Sequence, residues 1–266
     1  MKRRSISLLF AFTFLSCQGN AQSPEAEIQK YRDALAAGNP AELWEARGEE
    51  LWKQKRGPKK ASLEGCDLGK GPGVVKGAYA ELPRWFADAG RVMDLETRLL
   101  HCMVTLQGYG AAEVTKRTFG SGTSRSDFEA LAAYVTSESR GMPMNVPMSH
   151  PKEEEAFRIG EKIFNFRGGP HDFACATCHG ENGKRIRLQD LPNLTKNPGD
   201  GVGFAAWPAY RVSNGQMWSM QLRLNDCFRQ QRFPELVFGS EASIALTSFL
   251  ARNAQDGAYA GPAIKR

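Results

Sequence analysis

The chain has 266 residues, of which 41% are hydrophobic and 24% are charged. This composition is typical of a folded globular protein and excludes a wholly disordered chain. The formal net charge is +6, but Lys2, Arg3 and Arg4 lie in a predicted leader, and removing these three charges leaves about +3. Such a mildly basic chain gives no case for binding nucleic acid.

The amino-terminal segment has the pattern of a secretory signal peptide. The basic residues are followed by an apolar run from Ile6 to Leu15 and by small residues that end at Ala21. We predict a signal peptide at residues 1–21, export to the periplasm, and no other segment able to cross a bilayer. An alternative is lipid attachment at Cys17, since the preceding residues loosely resemble a lipoprotein box, but Phe14 is unusual in such a box.

Apolar residues recur at helical spacing in several segments and predict a mainly α-helical chain. The predicted helices cover residues 40–55, 94–106, 127–137, 153–166 and 241–252. A further helix is predicted to start at Ser213, with Gln216 completing a capping box, and to run through Arg223 to Cys227. Prolines and methionines are concentrated at 139–152, so an interdomain linker is predicted at 141–152.

Residues of the first half recur in the second half at two fixed spacings. At a spacing of 112 positions the pairs are Gly48 and Gly160, Trp52 and Phe164, Gly57 and Gly169, and Cys66 and Cys178. At a spacing of 125 positions they are Pro83 and Pro208, Gly90 and Gly215, Arg98 and Arg223, and Cys102 and Cys227. These coincidences predict a tandem duplication, with domains at 22–140 and 153–266.

Residues 175–179 read Cys-Ala-Thr-Cys-His. Thiols at Cys175 and Cys178 can each form a thioether to a haem, and His179 then lies under the iron as its proximal ligand. A disulfide or a zinc site would need a redox-enzyme context or a second ligand pair, and neither is evident nearby. The motif therefore predicts one covalently bound haem c in a chain of two tandem cytochrome c-like domains.

The repeat predicts that the first domain carries no haem. Leu63 holds the position of Cys175, and Asp67 holds the position of the histidine. Without a porphyrin between them, Cys66 and Cys102 can approach each other, and an oxidising compartment favours a disulfide. We predict a Cys66–Cys102 bridge; the alternative is two free buried thiols.

The second axial group of the iron separates an electron carrier from an enzyme. Met217 and Met220 meet the loose criterion for a carrier cytochrome, although they also fit an ordinary core stripe. His171 and Lys184 are weaker candidates. Lys184, Arg187 and Arg211 could shape an entrance for anions, but solvated surface charge is the simpler role for each.

The other five cysteines are assigned to the haem motif, to the predicted disulfide and to the leader. Cys227 is the one that remains without a role. On a helix it shares a face with Arg223, four positions earlier. A cationic neighbour favours the thiolate, which is the better iron ligand and nucleophile, and a guanidinium suits an oxyanion such as thiosulfate. The simpler alternatives are a buried small residue at 227 and a salt bridge from Arg223 to Asp226.

The sequence closely resembles the A subunits of the sulfur-oxidising (Sox) cytochrome c complex over essentially the whole mature chain. The residues that carry the resemblance are 175–180, 207–211, 223–227 with Arg232, and, in the first half, 62–69 and 94–103. The haem motif alone is generic. The arginine–cysteine helix combined with a haemless first half is specific.

The resemblance implies an L-cysteine S-thiosulfotransferase that joins thiosulfate oxidatively to a cysteine of a Sox carrier protein and passes electrons to cytochrome c. It implies His179 and Cys227 as axial ligands, Cys227 as a thiolate or persulfide intermediate, and Arg223 as the thiosulfate-binding residue. It also implies a heterodimer with a small c-type cytochrome subunit. Some relatives carry a haem in the first domain; Leu63 and Asp67 depart from that pattern and match the single-haem branch.

Two other classes of function remain open at the level of sequence. The first is a plain periplasmic electron-transfer cytochrome with histidine and methionine on the iron, which would be indifferent to replacement of Cys227. The second is a haem-bearing docking subunit of a larger respiratory assembly, in which Cys227 would be buried and inert.

Overall fold

The computed structural model describes residues 24–119, 123–186, 189–195 and 203–265. The predicted signal peptide at 1–21, with Cys17, lies outside these residues. Helix α1 (Pro24–Ala37) falls in a unit of its own, whereas Gly38–Arg266 forms a second compact unit. None of the helices in the described ranges has the length and apolarity that a membrane span requires.

The second unit is mainly helical with short strands. After a 3-10 turn at Tyr79–Glu81, a hairpin leads into a run of helices, and two further hairpins precede the last two helices and the final strand. The helices are α2 (Ala41–Lys53), α3 (Leu95–Thr105), α4 (Ala111–Phe119), α5 (Thr123–Ser137), α6 (Pro151–Asn165), α7 (Cys175–His179), α8 (Met220–Gln230) and α9 (Glu241–Asn253). The strands are β1 (Arg84–Phe86), β2 (Arg91–Met93), β3 (Arg185–Ile186), β4 (Gln189–Asp190), β5 (Ala209–Arg211), β6 (Gln216–Trp218) and β7 (Ala263–Lys265).

The repeat in the sequence corresponds to two matching helix crossings. Helix α2 packs on α5 in the first half, and α6 packs on α9 in the second. The two helices of each pair make their closest contact at a glycine. A Cβ on Gly48 would overlap the carbonyl oxygen of Ala130, and one on Gly160 would overlap that of Ala245. Glycine thus lets the backbones of each pair approach more closely than any side chain would allow.

A hairpin followed by a helix is also present twice. Strands β1 and β2 are antiparallel and lead into α3, and β5 and β6 are antiparallel and lead into α8. Asp94 caps α3 by accepting a hydrogen bond from Thr97 N, and Ser219 caps α8 by accepting one from Leu222 N. Aspartate and serine are preferred at this position because their short side chains reach the free amides of the first turn.

The predicted helix start at Ser213 is wrong. Gly215 has a positive φ of 63°, and the turn at this glycine reverses the chain between β5 and β6, so Gln216 lies in a strand instead of a first helical turn. The helix begins only after Ser219. The other five predicted helices agree with α2, α3, α5, α6 and α9 to within a few residues.

The carboxyl-terminal segment packs against residues 141–146, where the linker was predicted to begin. Gly141 N donates to Tyr259 O at 2.8 Å, and Met144 N donates to Gly257 O at 2.9 Å. Met144 and Val146 are buried, and the remainder of the predicted linker runs into the start of α6. In addition, Tyr79 Oη donates to Trp207 O at 2.8 Å, which ties the first half directly to the second.

Candidate active site around Cys227

Helix α7 presents the two thiols and the histidine of the predicted haem motif. Its start is fixed by Thr177, whose hydroxyl oxygen accepts a hydrogen bond from Ala174 N at 2.9 Å. The Nδ1 of His179 lies 2.9 Å from the carbonyl oxygen of Pro192. Because a carbonyl can only accept, Nδ1 carries the proton and Nε2 keeps its lone pair. His179 is therefore held in the tautomer and orientation that a metal ligand requires.

Helix α8 carries Arg223 and Cys227 on one face, as predicted. Arg223 Nη1 lies 3.3 Å from Asp226 Oδ2, so the salt bridge weighed as an alternative is present. Asp226 is shared, since it also pairs with Arg229 at 2.7 Å and accepts from Gln230. The Arg223 guanidinium lies 5.9 Å from the ring centre of Trp207, so it is only partly neutralised and is backed by an aromatic face.

The described residues place Cys175 within electrostatic range of Cys178 and Cys227, and His179 within range of Arg223. Burial and, to a smaller extent, the charge of Cys227 raise the pKa of Cys175 to about 12. Burial lowers the pKa of His179, and so does the nearby Arg223. Since such charge effects fall off with distance, they indicate that the ends of α7 and α8 face each other.

The expected stabilisation of the Cys227 thiolate by arginine is outweighed by burial. Burial raises the pKa of Cys227, while Arg223 and Arg211 lower it by less, and Asp226 raises it. The two arginines therefore favour the thiolate, as expected, but burial has the larger effect and favours the neutral thiol. A buried thiol of this kind becomes a thiolate when a metal ion binds it.

The methionines considered as axial ligands have other roles. Met217 lies in β6 and is fully buried against Ala41 and Ala133 of the first-half helices. Met220 is the first residue of α8 and is part of the main core. Met217 thus contributes to packing, and the helical stripe that was predicted to include it does not form. Of the weaker candidates, His171 packs on Phe173, and Lys184 pairs with Glu181 at 3.2 Å.

Arg211 is not the solvated surface charge that was expected from sequence. Its Nε atom is buried, as is the indole Nε1 of Trp218, and neither atom has a hydrogen-bond partner among the described residues. The Arg211 guanidinium lies 5.2 Å from the Trp218 ring centre. Buried donors without acceptors are rare and costly, so this pair fits a bound group that offers acceptor oxygens, such as a haem carboxylate. Arg187 lies outside the described residues.

The equivalent residues of the first half are bonded to or packed against their neighbours. Cys66 and Cys102 form a disulfide, which confirms the predicted bridge. Arg98, the counterpart of Arg223, is buried, pairs with Asp88 at 2.8 Å and donates to the carbonyl oxygen of Asp67. The counterpart of Arg211 is Phe86, whose ring lies beneath the Arg98 guanidinium. The repeat could therefore have marked Arg211 as a candidate site residue, because the second half has a cation at the position where the first half has a phenyl ring.

Comparisons with known proteins agree with this geometry. A family model described as the SoxA/TsdA cytochrome c domain matches residues 47–144. The L-cysteine S-thiosulfotransferase subunit SoxA of Hydrogenophilus thermoluteolus is 51% identical over 260 residues, covering 98% of this chain and 94% of that protein. A subunit of the same name from Hydrogenobacter thermophilus is 32% identical, covering 92% and 90%.

The fold is that of a cytochrome c-type protein. The crystal structure of SoxXA from P. pantotrophus matches with a TM-score of 0.73 and 23% sequence identity, over 89% of this chain and 84% of that chain. Two extensive sequence matches share one name, and the fold agrees with them. The chain therefore belongs to the SoxA family of L-cysteine S-thiosulfotransferase subunits.

Proposed function

We propose that this chain is a c-type cytochrome enzyme that joins thiosulfate to a cysteine of a sulfur-carrier protein. In the overall reaction the carrier thiol and thiosulfate form a cysteine S-thiosulfonate, releasing one proton and two electrons. A c-type cytochrome accepts the electrons. The observation that carries this proposal is the pairing of Arg223 and Cys227 on one face of α8, next to the haem motif.

Cys175 and Cys178 would hold the haem covalently, and His179 and Cys227 would ligate its iron. The fixed tautomer of His179 supports this assignment, and the buried donors of Arg211 and Trp218 fit a haem carboxylate. When bound, the haem supplies an acceptor of single electrons next to a sulfur nucleophile.

Arg223 and Cys227 have complementary roles toward thiosulfate. The guanidinium of Arg223 binds the sulfonate oxygens, which leaves the terminal sulfur of thiosulfate directed at Cys227. Loss of two electrons then joins these two sulfurs in a covalent bond. The carrier thiolate attacks the sulfur bonded to Cys227, so that a new sulfur–sulfur bond forms, the old one breaks, and the Cys227 thiolate is released.

The domain organisation is part of the same proposal. Residues 22–140 form a haemless cytochrome c-like domain, 141–152 connect it to the second, and 153–266 form the haem domain. The matching glycine crossings, hairpins and capped helices support a duplication. The disulfide and the buried Arg98 support a first copy without haem.

The partners and the location of the chain follow from the same reading. We propose a heterodimer with a small c-type cytochrome subunit, because the matching solved structure is of SoxXA. A Sox carrier protein supplies the substrate cysteine. A signal peptide at 1–21 would place the enzyme in the periplasm, where both haem attachment and the disulfide are favoured.

The proposal is tested by reconstituting the purified holoprotein with its cytochrome partner, the carrier protein, thiosulfate and oxidised cytochrome c. Mass spectrometry of the carrier should show the mass of one added thiosulfate, and cytochrome c should be reduced at two equivalents per adduct. Cys227→Ala should abolish both. Adduct formation that is unaffected by Cys227→Ala would overturn the proposal.

A further inference from the structure

The starts of α3 and α8 meet in the interior of the second unit. Asp94 caps α3 and Ser219 caps α8, and these two residues occupy equivalent positions in the repeat. Both side chains are buried. The first amides of a helix have no partner within the helix itself, so the polar groups at each start must find partners nearby.

Residues of the first half of the chain accept hydrogen bonds from donors at the start of α8. The amide of Gln221, the second residue of α8, donates to Glu96 Oε1 at 3.0 Å. The side-chain amide of Gln221 donates to Asp94 Oδ2 at 2.6 Å, and its oxygen accepts from Gly239 N at 2.7 Å. Glu96 is 3% exposed and Gln221 is 1% exposed, so solvent cannot replace these bonds.

The cluster of Asp94, Glu96 and Gln221, here called the clamp, contains two carboxyl groups away from water. Within the described residues no basic side chain forms an ion pair with either of them. The titratable groups that face them are Arg91, which favours the charge on Asp94, and Tyr79, which is buried nearby. Two buried carboxylates at close range cannot both be ionised cheaply, so the pair tends to keep one proton.

Two residues after Gln221 the same helix carries Arg223, and one turn later it carries Cys227. A movement of the helix start therefore moves both groups relative to α7. We propose that Glu96 is a positioning residue for Arg223 and Cys227, which it holds in place by fixing the start of α8 through the clamp. The effect of Glu96 on catalysis rests on the proposed function. Its effect on the position of α8 is independent of that function.

The clamp makes the position of α8 depend on pH. With one proton on the pair, Glu96 still offers an oxygen to the amide of Gln221, and the clamp stays closed. Loss of that proton adds a second buried charge beside Asp94, and repulsion between the two opens the contact. Burial and the charge of Asp94 raise the pKa of Glu96 from 4.5 to about 7, so the contact weakens as the pH rises through this window.

The inference is tested by hydrogen exchange of the holoprotein, resolved to peptides that contain the start of α8. Glu96→Gln keeps an acceptor oxygen for Gln221 but cannot ionise, so it should keep the clamp closed at every pH. At pH 4 wild type and this variant should exchange alike, whereas at pH 8 wild type should exchange faster by roughly tenfold or more. Glu96→Ala should exchange fast at both values.

The matched control is Glu153→Gln. Glu153 is also buried and accepts backbone amides at the start of a helix, α6, and its hydrogen bonds among the described residues come from Trp85, Ser149 and His150, none of which lies in α8. This variant should leave the exchange of α8 as in wild type at both pH values. Equal exchange of α8 in wild type, Glu96→Gln and Glu96→Ala would overturn the inference.

A second readout connects the clamp to catalysis. The KM for thiosulfate should rise between pH 4.5 and 7 in wild type and then level off, and it should remain flat in Glu96→Gln. If exchange of α8 follows Glu96 but no variant turns over thiosulfate, the proposed function fails and the positioning of α8 by Glu96 stands. If turnover is intact and its pH profile is the same in Glu96→Gln, the role of Glu96 in positioning Arg223 and Cys227 is refuted.

Discussion

At the scale of single residues, Cys227 differs from its counterpart Cys102 in what surrounds it. Cys102 is consumed by a disulfide, and the neighbouring Arg98 is neutralised by Asp88. Cys227 is a free thiol, and Arg223 shares Asp226 with Arg229. One copy of the same arrangement is therefore closed by a disulfide and an ion pair, whereas the other keeps a free thiol and a cation that shares its carboxylate among the described residues.

Replacing Arg223 by lysine should raise the KM for thiosulfate. Lysine keeps the positive charge but loses the planar pair of donors that match a sulfonate, so we expect a rise of roughly tenfold to a hundredfold. The measurement is steady-state reduction of cytochrome c at varied thiosulfate. Arg229→Lys, which changes the exposed partner of the same Asp226, is the control and should leave the KM unchanged; an equal effect of both variants would indicate a structural role for Arg223.

At the scale of elements, each pair of crossing helices depends on one glycine. Gly160→Ala should destabilise the protein by about 1–3 kcal/mol or more, since the added methyl group would overlap the carbonyl oxygen of Ala245. Thermal unfolding should show a lower Tm, and Gly48→Ala should behave in the same way. Gly38→Ala is the control because nothing lies within 4 Å of its added methyl group. A Tm for Gly160→Ala equal to that of the control would contradict the described crossing.

The start of α8 should also give the stability of the protein a dependence on pH. The pKa of Glu96 is raised from 4.5 to about 7 in the folded state, so the folded chain binds this proton more tightly than the unfolded chain. The stability from this group is full below pH 4.5, falls as the pH rises through the window between 4.5 and 7, and is constant above it. The loss amounts to roughly 3 kcal/mol.

Glu96→Gln should remove that slope. Urea unfolding at pH 5 and pH 8 should show a fall in stability in wild type and a smaller fall in the variant, which should be the more stable protein at pH 8. Because Glu153→Gln leaves Glu96 in place, it should keep the wild-type slope. If the slopes of wild type and Glu96→Gln are identical, Glu96 does not titrate as described.

At the scale of the whole molecule, the Cys66–Cys102 disulfide joins the two positions of the first half that correspond to Cys178 and Cys227 in the second. It closes a loop with a sequence separation of 36 residues, for which the loss of chain entropy in the unfolded state is worth about 3–4 kcal/mol. The double variant Cys66→Ala, Cys102→Ala should lose this amount in urea unfolding. It should still bind one haem, counted by the pyridine haemochrome spectrum, and a loss of haem would mean that the two halves do not fold as predicted.

Local patterns predicted much of this molecule because they depend on neighbours in the sequence. The haem motif, the apolar stripe of α9 and the disulfide between repeated positions are of this kind. The start of α8 could not be read in the same way, since Ser213 and Gln216 satisfy a capping pattern that the turn at Gly215 overrides. The burial of the Nε atom of Arg211 and the raised pKa of Cys227 depend on tertiary packing, which no local pattern reports. The clamp was missed for the same reason, because its carboxylates and its amide come from different halves.

The most direct test of the central claim is low-temperature EPR of the purified ferric protein, with Cys227→Ala as the paired control. We predict a low-spin signal of histidine–thiolate ligation that is lost in Cys227→Ala. Such a result would fix Cys227 on the iron beside Arg223. A histidine–methionine signal that the substitution leaves unchanged would contradict the account and would leave an electron carrier built on a duplicated frame.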